Sequence, residues 1–336
     1  MSLYTPIALI SMLLFCCSAT YLRRLFCSNL TRTVLAPSTW AAQRQRDDDT
    51  TPISVNYHFT RQCNMACGFC FHTATTSHIL PIDEAMRGIK LLKEAGMRKI
   101  NLAGGETFLY TRFLGRLVDY CKEIGVESVS IVSNGSKVKE SFLQRHGRNI
   151  DNLAISCDSF DEETNLKIGR GTGNNVQQLH RYGVRFKLNT VVCHLNWDED
   201  MNQHVSQLAP SRWKCFQMLI VQGENDSSER LRDATKFAIS SEKFDHFIDK
   251  HKSHKSLMPE PNRLMANSYL IPDEYMRFLD RTGRLPSKPI LEVGVQEALA
   301  SVFWDVESFK ERGGVYDWRA DTQSCIEQRA TQSLEW

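Results

Sequence analysis

Arg61-Gln62-Cys63-Asn64-Met65-Ala66-Cys67-Gly68-Phe69-Cys70-Phe71-His72 sets three cysteines at C-x3-C-x2-C spacing, with no fourth cysteine at a matching distance. A zinc site that folds a domain usually closes with four ligands. An ordinary [4Fe–4S] cluster takes four cysteines, one per iron. Three cysteines this close leave one iron open, and an open iron can bind and cleave a ligand. Phe69 and Phe71 exclude water and tune such a cluster; His72 reads as a hydrogen-bonding or packing histidine rather than a ligand. The run follows Ile53–Phe59, a strand that puts Val55, Tyr57 and Phe59 on one face at period two. Active-site residues of α/β barrels gather at the carboxyl ends of strands, so this loop sits at the correct rim.

Outward from the loop, strand-like runs alternate with amphipathic ones. Lys99–Ala103, Ser128–Ser133, Leu153–Ser156, Val184–Val192 and Trp213–Val221 read as strands. Ile82–Gly96, Thr111–Ile124, Val138–Arg145, Val176–Arg181 and Glu199–Leu208 read as helices. Six strand–helix steps predict right-handed βαβ units and a parallel sheet. Six rather than eight predicts an open, partial (βα)6 barrel over residues 53–257. After about Lys255, prolines at 259, 261, 272, 286 and 289 punctuate short segments. Residues 258–336 are therefore expected to form an extension folded over the barrel and its active site.

The chain has 336 residues, 42% of them hydrophobic, and a net charge of +2. That is enough for a full core and gives no electrostatic support for nucleic-acid binding. Eleven cysteines in a chain this long, three of them within eight residues, point to a reducing compartment with a metal site rather than a disulfide scaffold. The sequons at Asn29, Asn134 and Asn225 then read as chance. The first 22 residues carry no charged side chain, and Arg23 and Arg24 follow. The apolar core is short for a spanning helix and lacks the leading basic residues of a cleaved signal. Residues 1–42 are read as a membrane-associated helix with the catalytic body in the cytosol, and the polar stretch 43–52 as a linker.

Gly104-Gly105-Glu106 ends the second strand, where two glycines allow close backbone approach. Alone it is also a common strand-to-helix turn; its place one strand after the cysteines raises it. Ser133 and Ser156 end the third and fourth strands, where polar residues either touch a ligand or cap the next helix. Gly169-Arg170-Gly171-Thr172-Gly173 fails as a dinucleotide fingerprint, but Arg170 could reach a carboxylate. Lys187 and Asn189 share one face of the fifth strand, and Arg212 and Lys214 share one face of the sixth. Converging in the lumen, they would suit a polyphosphate; otherwise they are solvated strand ends.

The C-x3-C-x2-C spacing followed by Gly-Gly-Glu is the signature of radical S-adenosylmethionine (SAM) enzymes. The runs SVNYHFTRQCN, CGFCFHTA, KINLAGGE, SVSIVSNGS, LAISCDSFDEE and IGRG resemble the viperin family, interferon-inducible antiviral radical-SAM proteins. The similarity covers roughly residues 51–318. It implies a partial (βα)6 barrel and an N-terminal amphipathic helix at the endoplasmic reticulum membrane and lipid droplets. It also implies conversion of CTP to 3′-deoxy-3′,4′-didehydro-CTP, a chain terminator for viral polymerases. By that similarity Cys63, Cys67 and Cys70 hold a [4Fe–4S] cluster, and Gly104, Gly105, Glu106, Ser133, Ser156 and Arg170 surround SAM. Lys187, Asn189, Arg212 and Lys214 fall on positions that grip the nucleoside triphosphate, and Tyr269 on the tyrosine near the ribose. Trp336 resembles a terminal signal read by cytosolic iron–sulfur assembly machinery.

Thr107 stands where the family has proline after Gly-Gly-Glu, the stretch after Gly173 and the Arg284–Lys288 segment are shorter, and the tail before Trp336 is longer. Two other functions stay open on sequence alone. A radical-SAM enzyme on another nucleotide shares every motif above; one that cyclises GTP would want a second cysteine cluster near the C-terminus, where only Cys325 stands. A membrane-anchored antiviral scaffold with a structural cluster would have no use for cations turned into a lumen.

Overall fold

The computed structural model describes residues 51–171, 184–280, 282 and 285–316. The expected membrane helix over 1–42, most of the linker, the helix expected at Val176–Arg181 and the tail to Trp336 lie outside the described residues. Among the described residues no helix is long and apolar enough to cross a membrane.

Seven strands form one sheet in the order of the chain: β1 Ser54–His58, β2 Lys99–Ala103, β3 Ser128–Ser133, β4 Asn152–Ser156, β5 Arg185–Val192, β6 Arg212–Gln217 and β7 Leu257–Glu260. Every neighbouring pair is parallel. Consecutive parallel strands need crossovers that pack helices on one side, and the sheet curls into a half-barrel around a lumen. The six expected strands are present. The seventh was hidden by Met258-Pro259-Glu260-Pro261, which reads as a break. Here β7 pairs only with β6 within the sheet, and an edge strand tolerates proline. The expected boundary between 257 and 258 therefore falls inside a strand.

Period-two alternation divides each strand between two environments. Ile100, Leu102, Ile131, Leu153, Leu188 and Trp213 point outward and are fully or almost fully buried beneath the helices. Burying each such side chain contributes about 1.5–3 kcal/mol. The alternate residues face the lumen and are mostly polar: Asn56 and His58 on β1, Lys99 and Asn101 on β2, Ser156 on β4, Lys187 and Asn189 on β5.

The covering helices include α1 Ile82–Glu94, α2 Thr111–Glu123, α3 Glu140–His146, α4 Glu162–Ile168, α5 Asn202–Leu208 and α6 Ser241–His251. In α1 the buried residues Ala85, Gly88, Ile89 and Leu92 form one stripe. The segment beyond β7 returns to the opposite edge of the sheet. The amides of Asn56 and His58 donate to the carbonyls of Leu270 and Pro272, each at 2.9 Å. Arg61 ties this segment down, donating to Glu274 at 2.8 Å and bidentately to Glu224 at 3.0 Å.

Candidate functional site

The cysteine loop is clamped by two glycine-bearing segments. The amides of Ala66 and Gly68 donate to the carbonyls of Gly169 and Ile168, both at 2.9 Å. Gly169 adopts φ +93° beyond α4, and a Cβ there would lie 2.4 Å from the Ala66 carbonyl oxygen. On the other side Gly105 and Glu106 donate from their amides to Thr60 and Gln62, at 2.7 and 2.8 Å. A Cβ on Gly105 would lie 2.1 Å from the Gln62 carbonyl oxygen. Both segments must therefore be glycine for the loop to sit where it does.

Glu106 is fully buried and absent from the lumen wall. Its carboxylate accepts from the Phe108 amide at 2.9 Å, the Ser133 hydroxyl at 2.8 Å and the Asn134 amide at 2.7 Å. Burial pushes its carboxyl pKa up against those three bonds. Its side chain thus positions Ser133 and Asn134, and Asn134 in turn lies 3.9 Å from the Cys63 sulfur. Arg170, on the lumen wall, pairs with the buried Asp158 behind it. The guanidinium expected to meet a ligand carboxylate is thus held by a protein carboxylate.

Cys63, Cys67, Cys70, Gly104, Gly105, Ser133, Ser156 and Arg170 all line one cavity, together with Lys187, Asn189, Lys214 and Tyr269. Ladder register explains the second group: Lys187 pairs with Arg212 and Asn189 with Lys214. Lys214 donates to Glu260 at 2.5 Å and to the Tyr269 hydroxyl at 2.9 Å, and Tyr269 donates to the other Glu260 oxygen at 2.9 Å. Burial opposes the charge on Lys214, but the Glu260 carboxylate prevails and raises its pKa. Arg212 stands just behind the wall, its guanidinium 4.0 Å from the Tyr316 ring.

Five wall or near-wall residues escaped the sequence reading. Lys99 and Asn101 repeat on β2 the Lys187–Asn189 pattern of β5, a signal available in the alternation itself. Glu260, Arg312 and Tyr316 arrive from distant segments. Arg312 lies 3.7 Å over the Tyr269 ring and 3.6 Å from Glu260. Lys99, Lys187, Arg212, Lys214 and Arg312 thus surround one end of the lumen with Glu260 as the counter-charge.

The three thiols suit a multi-iron cluster. Among the described residues no three His, Cys, Asp or Glu side chains converge on a single ion. Instead the sulfurs border one cavity; burial raises the pKa of each, and Cys67 and Cys63 add to it at Cys70, which is pushed up to about 12. Such a set of crowded donors needs cationic centres to become thiolate, and each sulfur can serve a different iron.

Residues 57–208 match the model of the radical SAM superfamily. The S-adenosylmethionine-dependent nucleotide dehydratase RSAD2 of Siniperca chuatsi is 52% identical over 88% of this chain and 84% of its own length. The protein of the same name from Danio rerio is 53% identical over 85% of this chain and 81% of its own. The crystal structure of Streptococcus suis SuiB bound to S-adenosylmethionine superposes with TM-score 0.59 at 14% identity, over 80% of this chain and 70% of that one, a likeness of fold. The cofactors of the superfamily are a [4Fe–4S] cluster and SAM. With its cysteine loop, half-barrel and these relatives, the chain belongs to the RSAD2 (viperin) family of radical SAM enzymes.

Proposed function

We propose that the protein is a SAM-dependent nucleotide dehydratase that converts CTP to 3′-deoxy-3′,4′-didehydro-CTP, which differs from CTP by the loss of one water. The observation that carries this reading is one lumen with two unlike ends: three thiols and a glycine pair at one, five cations at the other. Cys63, Cys67 and Cys70 would hold the cluster, and Gly104, Gly105, Ser133, Ser156 and Arg170 would border SAM, with Glu106 fixing Ser133 from behind. When bound, cluster and SAM supply a 5′-deoxyadenosyl radical able to take the 4′ hydrogen of the ribose.

The chain's own residues bind, orient and exclude water. Lys187, Asn189, Arg212 and Lys214, joined by Lys99 and Arg312, would hold the triphosphate. Its register would then set the ribose between Tyr269 and the cysteine loop. Residues 1–42 would attach the enzyme to the cytoplasmic face of the endoplasmic reticulum and lipid droplets. Trp336 would serve cluster delivery by the cytosolic assembly machinery. Both of these last roles rest on sequence.

The test is an anaerobic assay of the reconstituted protein with SAM and each ribonucleotide in turn. CTP should stimulate 5′-deoxyadenosine formation above the other nucleotides and yield the dehydrated product. Stronger turnover of another triphosphate would replace CTP. No stimulation by any nucleotide would remove the dehydratase reading.

A further inference from the structure

A second cavity opens on the outer face between α2 and α3. It holds about 400 Å³ and is lined by Arg112, Arg116, Lys139, Arg145 and His146, with Phe142 at its buried base. Arg112, Arg116, Lys139 and Arg145 are exposed, and among the described residues none of the four has an ion-pair partner. The carboxylates of the flanking helices bond other groups: Asp119 accepts from His146 of the cleft and from Asn149, and Glu140 accepts from Gln144. In a chain whose formal charge is only +2, four unpaired cations in one cleft are a local concentration rather than the average surface.

The cleft adjoins the cysteine loop. Its α3 wall follows the β3 loop, where Asn64 of the cysteine loop donates to the Ser136 hydroxyl at 2.9 Å and Asn134 reaches Cys63. Its α2 wall follows the Gly104–Glu106 turn through a single 3-10 turn, Thr107–Tyr110. Cys63 is the exposed member of the cysteine trio, and Lys139, which opens the α3 wall of the cleft, follows Ser136 by three residues. A cleft lined by unpaired cations sets the sign of the partner it can dock.

We propose that this cleft docks an acidic one-electron carrier protein, which passes its electron to the cluster across the Cys63 edge. In that step the carrier is oxidised by one electron and the cluster reduced by one, with no atom transferred. Arg112, Arg116, Lys139 and Arg145 steer the encounter. The inference rests on the cysteine trio holding the cluster and is independent of which nucleotide is used.

The test uses the reconstituted full chain with an acidic FMN flavodoxin as the probe. Cluster reduction is followed by loss of its visible absorbance in stopped flow, with dithionite as a small reductant for comparison. Arg112→Glu/Arg116→Glu/Lys139→Glu should slow reduction by flavodoxin hydroquinone about tenfold or more, since steering contributes factors of 10 to 1,000. Raising ionic strength should slow the wild type and leave the variant little changed. Iron content, SAM binding and the dithionite rate should be unaffected. A control reversal at Lys90, Lys93 and Lys255 carries the same change in net charge and should behave as wild type.

Equal flavodoxin rates in wild type and cleft variant overturn the proposal. So does an equal loss in the control, or capture of phosphatidylserine vesicles by the cleft with no effect on flavodoxin. A wild type that binds no iron, or whose iron dithionite cannot reduce, overturns the cluster reading instead.

Discussion

The phenolic oxygen of Tyr316 accepts a hydrogen bond from Lys187 Nζ at 2.5 Å, and Lys99 Nζ donates to the same oxygen at 3.1 Å. A neutral hydroxyl thus stands between two buried lysines in the end of the lumen assigned to a polyanion. Burial lowers the pKa of both lysines well below the ordinary value of 10.5, and neighbouring cations add to it, Lys187 acting on Lys99 and Lys214 on Lys187. Between the lowered value and 10.5 the unfolded chain binds more protons than the fold. The empty protein should gain stability from these two groups as pH rises through that window.

A triphosphate reverses the sign at the same lysines. Phosphate oxygens favour the ammonium forms, so binding should take up protons and weaken as pH rises through the same window. Calorimetry of CTP binding in two buffers of different ionisation enthalpy measures the uptake directly. Proton release, or affinity that climbs with pH, would contradict the arrangement.

Glu260 makes a different demand. It is fully buried, and its pKa falls because Lys214 and Arg312 outweigh burial. Glu260→Gln keeps the shape but leaves Lys214 buried without its carboxylate. Breaking a buried pair from one side costs about 3–5 kcal/mol. The variant should lose stability of that order when empty and recover much of it with CTP, whose phosphates replace the lost anion. Urea unfolding with and without CTP is the measurement; a loss that CTP leaves unchanged would show that Glu260 acts on packing alone.

The alternation of β1 to β6 made the barrel legible, because outward apolar and inward polar residues carry opposite signals at period two. The same alternation exposed Lys187, Asn189 and Lys214 as lumenal. β7 was illegible because Pro259 and Pro261 mimic a loop, and with it went Glu260. Arg312 and Tyr316 lie in segments with no strand periodicity; only the return of the chain across the lumen brings them to β5 and β6. Glu106 was found by motif, but its role as a brace for Ser133 and Asn134 needed the three hydrogen bonds to be seen.

Gly105→Ala tests the clamp on the cysteine loop. The new methyl meets the backbone carbonyl of Gln62, which cannot swing aside as a side chain end could. Overpacking of this kind costs about 1–3 kcal/mol, and the strain falls next to Cys63. Iron per chain after anaerobic reconstitution should drop well below the wild-type figure of about four. Full iron content with unchanged stability would mean the loop has more room than its backbone bonds allow.

Removing residues 1–50 should leave every described element in place, since β1 begins at Ser54. The truncated protein should bind iron and SAM like the full chain but float free of liposomes. Retention on membranes would move the attachment from the N-terminal segment to the body.

The role proposed for the lumenal cations, holding phosphate, makes the sharpest demand on binding. A hydrogen bond from a charged donor is worth about 1.5–3 kcal/mol, so Lys187→Ala should raise the CTP half-saturation concentration roughly 10- to 150-fold. SAM affinity should hardly move, because Lys187 lies at the opposite end of the lumen from Gly104 and Gly105. CMP lacks the β- and γ-phosphates and should stimulate 5′-deoxyadenosine formation far less than CTP in the wild type. In Lys187→Ala the gap between the two nucleotides should narrow, since the variant has lost part of what tells them apart. Equal stimulation by CMP and CTP in the wild type would show that the lumenal cations stabilise something other than a polyphosphate.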